Sequence, residues 1–135
     1  MGIDSWWAGL LLGHLWRGAH LGVAHVAEDG LTRLVRDIRK RPQHPWTLDE
    51  MCAEASVSAT VLNERFRRIT GLPPMKFVIR QRVQRACTLL EESRMTIEQI
   101  AETAGYRDVF FFSRQFRQVQ GTPPGAYRKS RYSAR

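Results

Sequence analysis

Cysteine is scarce in this chain. Cys52 and Cys87 are the only two, with no CxxC pair, which argues against a disulfide framework or a zinc ribbon. Both fall on apolar stripes, as expected of small buried hydrophobes in a reducing cytoplasm, the expected compartment. Histidine is almost as rare. His14, His20, His25 and His44 are spaced by six, five and nineteen residues, so no two share a helical face at i and i+4, and neither a metal site nor a cofactor is expected. An unbroken apolar span is also missing. Ser5 to Ala27 reads SWWAGLLLGHLWRGAHLGVAHVA, and its His14, Arg17, His20 and His25 argue against a membrane-spanning helix. No base precedes this run, so a secretory signal fits poorly. Its Gly9 and Gly13, then Gly18 and Gly22, are four apart, a spacing that permits close helix contact.

Acidic residues are few, and unevenly few. The formal net charge is +8 and the isoelectric point is near 10.5. Residues 1–29 hold one base and three acids, leaving 20 bases against 10 acids in the other 106 residues. Such an excess suits a phosphate-binding surface, although charge alone fits an RNA binder or a ribosome-associated protein equally well.

What the chain does contain is organised around Thr96 to Tyr127. Thr96 and Gln99 stand at capping-box spacing, and Ile97, Ile100, Ala101 and Ala104 form the apolar stripe of a short helix that Gly105 can stop. Past the turn, Asp108 can cap a second helix in which Phe112, Phe116 and Val119 face inward as far as Gly121. Two short helices across a tight turn make a helix-turn-helix unit.

The unit occurs twice. Leu48, Met51, Cys52 and Ala55 precede Ile97, Ile100, Ala101 and Ala104 by 49 residues each. Beyond the turn the offset is 50, and it pairs Leu62 with Phe112, Phe66 with Phe116, Ile69 with Val119, Gly71 with Gly121, Pro73-Pro74 with Pro123-Pro124, and Phe77 with Tyr127. One extra residue in the second turn is an insertion a loop tolerates. Two copies are too few for a solenoid and point to paired binding modules. Thr47 with Glu50, and Ser58, are the matching caps of the first module. Asp29 can cap a helix with Leu31, Leu34, Val35 and Ile38 inward. Between the modules, Pro74 to Glu92 predicts a helix of roughly 18 residues, about 27 Å long.

The pattern apolar-x-x-I-A-x-x-x-G-Y, F-x-x-x-F, G-x-x-P-x-x-Y is filled by Ile97, Ile100, Ala101, Gly105, Tyr106, Phe112, Phe116, Gly121, Pro124 and Tyr127. It resembles the second helix-turn-helix of the AraC/XylS family of bacterial transcription regulators, and Arg82-Val83, Ala86 and Leu89-Leu90 resemble that family's connecting helix. The resemblance covers roughly Leu31 to Arg131. It implies an all-α fold: two helix-turn-helix subdomains, homeodomain-like three-helix units, joined by a long connecting helix, with an apolar N-terminal helix ahead of them. The expected boundaries are 1–29 for that N-terminal element, 30–131 for the DNA-binding domain, 47–70 and 96–121 for the two motifs and 74–92 for the connecting helix. Family members usually carry a sensing and dimerising domain upstream, so residues 1–29 would be its last helix or a self-association helix that makes a homodimer.

The implied function is sequence-specific binding of double-stranded DNA to regulate transcription, as an activator beside RNA polymerase. In the family the outward positions of the second helix of each motif touch bases. Here these are Thr60, Asn63 and Glu64, then Phe110, Ser113 and Arg114. Arginine pairs bidentately with guanine, asparagine with adenine, glutamate accepts from cytosine N4, and an apolar ring meets a thymine methyl. Glu64 is as well explained by pairing with Arg67 or Arg68. Phe110 stands where the family more often has a small polar side chain, so base preference does not follow from the resemblance. Ser58, Arg67, Arg68 and Arg117 are the expected phosphate contacts. Phe112 is expected in the core, Phe111 half-buried, and Tyr127 to Arg131 a helix end or mobile basic arm. Two other readings compete with this one. One is the DNA-targeting half of a repair methyltransferase, which needs a reactive thiolate; the other is a nonspecific architectural or RNA-binding protein.

Overall fold

A computed structural model describes residues 29–133; the N-terminal helix expected at Ser5 to Ala27 lies outside them. The described residues form seven helices and no strand. In order they are α1 (Gly30–Lys40), α2 (Leu48–Ala55), α3 (Ala59–Thr70), α4 (Pro74–Glu92), α5 (Ile97–Thr103), α6 (Val109–Gln120) and α7 (Pro124–Ser133). Among them no helix is long and apolar enough to cross a membrane.

Local chemistry starts and stops these helices. Side chains of Asp29, Thr47, Ser58, Thr96 and Asp108 accept from backbone N–H groups of the first turns of α1, α2, α3, α5 and α6, satisfying donors that have no intrahelical partner. At α5 the box is complete, because Gln99 Oε1 also accepts from the Thr96 N–H at 2.9 Å. Gly71 and Gly121 end α3 and α6 at φ 84° and 88°, a left-handed conformation that glycine adopts at no steric cost.

Two cores result. Leu31, Leu34, Val35 and Ile38 of α1 pack with Trp46, Met51, Leu62, Phe66, Phe77 and Val78. Val83, Ala86 and Leu90 pack with Ile100, Ala101, Ala104, Tyr106, Phe112 and Phe116. The sequence repeat is a structural repeat down to its ring pairs: Phe66 and Phe77 lie 5.7 Å apart edge to face, and Phe116 and Tyr127 lie 5.5 Å apart in the same manner. Helix α4 serves both cores. At about 100° per residue, the face carrying Phe77 and Val78 lies about 160° from the face carrying Val83, Ala86 and Leu90. One module therefore sits against the beginning of this helix, and the other against the opposite side of its end.

One expectation needs correction. Cys52 and Cys87 are half-buried, packed against the edges of the two cores and not enclosed in them. Of the two alternatives for Tyr127 to Arg131, the helix end holds and the mobile arm does not: the segment belongs to α7, which docks on the end of α4. Arg128 donates from Nε to the Leu90 carbonyl (3.1 Å) and from Nη2 to the Ser93 carbonyl (3.3 Å). The Tyr132 hydroxyl also donates to Ser93 O, at 3.0 Å. These bonds satisfy carbonyls at and just past the end of α4, where helices leave acceptors unpaired.

Candidate nucleic-acid interface

The outward faces of α3 and α6 follow from what each helix buries. Leu62 and Phe66 are fully enclosed, as are Phe112 and Phe116. Thr60, Asn63, Glu64 and Arg67 then fall within an arc of about 100° on the other side of α3, and Phe110, Ser113, Arg114 and Arg117, each 50 residues later, within the same arc of α6. Thr60, Glu64, Arg67, Arg68, Phe110, Arg114 and Arg117 are exposed, while Asn63 and Ser113 are half-buried. The structure thus gathers the expected residues into two patches, one on each module.

Several side chains are already engaged. The Asn63 amide donates to the Ala59 carbonyl at 3.0 Å, leaving one N–H and the side-chain oxygen available. Ser58 Oγ accepts from the Val61 N–H at 3.3 Å, and its own O–H remains available to an acceptor. Glu64 makes no ion pair among the described residues, so the pairing weighed for it with Arg67 or Arg68 is absent. On α6, Phe110 is 72% exposed and Phe111 is 45% exposed, an unusual amount of aromatic surface for one helical turn.

Phe111 supports the arginine beside it. The Arg114 guanidinium carbon lies 5.8 Å from the centre of the Phe111 ring, within cation–π range. Phe111 in turn leans on Tyr106 at 5.9 Å, and the Tyr106 hydroxyl is hydrogen-bonded to Gln115. Burial raises the Tyr106 pKa above its ordinary value, opposed by the nearby Arg82, so the hydroxyl stays protonated as a donor. The spacing of Phe111 and Arg114, three apart on a helix, was the available signal for this stack.

A second buried-edge cluster lies where α7 meets α4. The Tyr127 hydroxyl bonds Glu91, and the Arg131 guanidinium lies 5.1 Å from the centre of the Tyr127 ring. Burial, then the bond to Glu91, pushes the Tyr127 pKa up to about 12. Burial also pushes the Cys87 thiol up. Among the described residues no group of histidine, cysteine and acidic side chains could hold a metal ion.

Residues 51–130 match the family model for a helix-turn-helix domain. A putative AraC-like transcription regulator of Streptomyces lividans is 31% identical over 119 residues, covering 86% of this chain and 39% of that protein. The transcriptional activator RhaR of Escherichia coli is 33% identical over 102 residues, covering 76% of this chain and 36% of the relative. The crystal structure of the DNA-binding domain of AdpA, a global transcriptional factor in complex with a target DNA, superposes with a TM-score of 0.76. It is 30% identical, and the match covers 80% of this chain and 97% of that one. The chain belongs to the AraC family. It spans about two-fifths or less of the length of these curated relatives, and what it shares with AdpA is the DNA-binding domain. Within this AraC-type domain, α2–α3 and α5–α6 are the two helix-turn-helix motifs.

Proposed function

We propose that this AraC-type domain binds a specific site in double-stranded DNA and regulates transcription, with α3 and α6 entering successive major-groove segments. The observation that carries the reading is the duplicated outward face: positions 60, 63, 64 and 67 recur at 110, 113, 114 and 117, over the equivalent buried pairs Leu62–Phe66 and Phe112–Phe116. Arg114 reads guanine, and Phe110 meets a thymine methyl. Asn63 reads adenine with its free N–H and oxygen while keeping its bond to Ala59. Thr60, Glu64 and Ser113 supply further contacts, with Glu64 accepting from cytosine. Ser58, Arg67, Arg68 and Arg117 hold phosphates, which fixes register without selecting sequence.

Residues 30–131 form the DNA-binding unit in this reading, and residues 1–29 serve as the end of a sensing and dimerising domain or as a self-association segment. Activation is the direction favoured by the likeness to the activator RhaR, and the proposed setting for it is beside RNA polymerase in the cytoplasm. The protein acts by binding and not by catalysis. Repair by thiol alkylation would need a low-pKa cysteine, and the shift at Cys87 is in the other direction.

Selection of bound sequences from a random duplex pool, followed by competition gel shifts, tests the function. A specific regulator prefers its selected site over random duplex by roughly 10³-fold or more. Equal binding to all sequences would leave a nonspecific binder, and rapid alkylation of either cysteine in the folded protein would favour the repair enzyme.

A further inference from the structure

Two cores mounted on opposite sides of one helix could swivel unless something fixes the angle between them. Arg82 lies on α4 between the two apolar faces. Its Nε donates to the Pro42 carbonyl at 2.7 Å and its Nη2 to the His44 carbonyl at 2.9 Å. The same guanidinium lies over the Tyr106 ring, 5.4 Å from its centre. Both carbonyls belong to the α1–α2 loop of the first module, whereas Tyr106 belongs to the core of the second. The loop is itself held in place: the Trp46 indole N–H donates to the Arg41 carbonyl at 2.9 Å, and His44 Nε2 sits 2.8 Å from Glu50.

An independent observation lies in the turns. Ser56 and Gly105 are equivalent, both at positive φ (56° and 102°). Each is followed by the same backbone bond, Val57 N–H to Cys52 O and Tyr106 N–H to Ala101 O. The turn therefore accepts a side chain at Ser56. At Gly105 a β-carbon would stand 2.8 Å from the Gln43 carbonyl oxygen and 2.9 Å from its Cα, a distance real side chains do not reach. Glycine is required there twice over, by a φ of 102° that L side chains rarely adopt and by the approach of the first module's loop, and only the first of these belongs to the turn.

We propose that Arg82 and Gly105 are positioning residues that lock the two helix-turn-helix modules at one angle, and that this lock selects the spacing between the two DNA segments they contact. The proposal rests on the reading that α3 and α6 enter one duplex. Inserting one base pair between the segments turns the second by about 34° and moves it about 3.4 Å. A locked pair of helices cannot follow that change, but an unlocked pair can.

The test uses the selected site with its two segments moved apart or together by one and two base pairs. The panel is titrated with the intact chain and its Arg82→Ala, Arg82→Lys and Gly105→Ser variants, after circular dichroism shows each folded. The intact chain is expected to prefer one spacing by about tenfold or more, roughly what a single poor base contact costs. Arg82→Ala and Gly105→Ser are expected to reduce that preference to less than about threefold while base preference within each segment is kept. Arg82→Lys, which keeps the charge but cannot span two carbonyls while lying on a ring, should fall between. Residual dipolar couplings on the free chains supply a readout without DNA: one module orientation for the intact chain, an averaged one for the variants. An unchanged spacing profile in folded Arg82→Ala and Gly105→Ser, with base preference intact, overturns the lock and leaves the DNA reading standing. If the intact chain shows no base preference in one of the segments, the two-helix reading fails, and the lock with it.

Discussion

Arg114 is the residue on which specificity should turn, because a guanidinium on an exposed helical face matches the paired acceptors of guanine. Replacing it with alanine is expected to cost about 1–3 kcal/mol on the matched site and to relax preference at one base pair. Gel shifts on single base-pair variants measure this, and an equal loss on every sequence refutes the assignment. Phe111→Ala removes the ring that Arg114 lies against, so it should relax the same base pair by a smaller amount, about 0.5–1 kcal/mol. Arg67→Ala should weaken all sequences alike and lower the salt slope by about one. At this scale the sequence was readable where neighbours decide the outcome. Phe110 and Phe112 lie about 160° apart on a helix, so one had to be exposed once the other was buried. Arg82 was opaque because the carbonyls it holds lie about forty positions upstream, where no periodicity connects them.

The starts of α1, α2, α3, α5 and α6 were legible because each carries a side-chain cap; the docking of α7 was not. Nothing in Tyr127 to Arg131 shows an apolar stripe, and the helix is held by groups that α4 offers at its end: Glu91, the Leu90 carbonyl and the Ser93 carbonyl. That attachment should loosen in alkali. Tyr127 and Cys87 both have raised folded-state pKa values, so the fold favours their neutral forms. Their contribution is complete below the ordinary values of 9.0 for the thiol and 10.0 for the phenol. It is lost as pH rises through the raised values, to about 12 for Tyr127. The melting temperature should therefore fall above about pH 9, and Tyr127→Phe should fall less steeply over the upper part of that window. Identical slopes for the two proteins would show that the phenol is not a contributor.

The duplication is visible along the whole sequence, because caps, inward apolar positions and terminal glycines recur together. How the copies face one another was hidden, since the junction is built from Gln43, Pro42, His44 and Arg82, outside the matched positions. Because α4 lends Phe77 and Val78 to one core and Val83, Ala86 and Leu90 to the other, the modules should melt together. Phe66→Ala and Phe116→Ala are each expected to cost about 3–5 kcal/mol, and each should lower amide-exchange protection in both modules. Protection lost only in the mutated half would contradict a shared helix. The sharing also bears on how such domains can be inherited. A recombination break on either side of α4 would strip one reader of a wall of its interior, so the smallest piece a genome can pass on in working order is the pair.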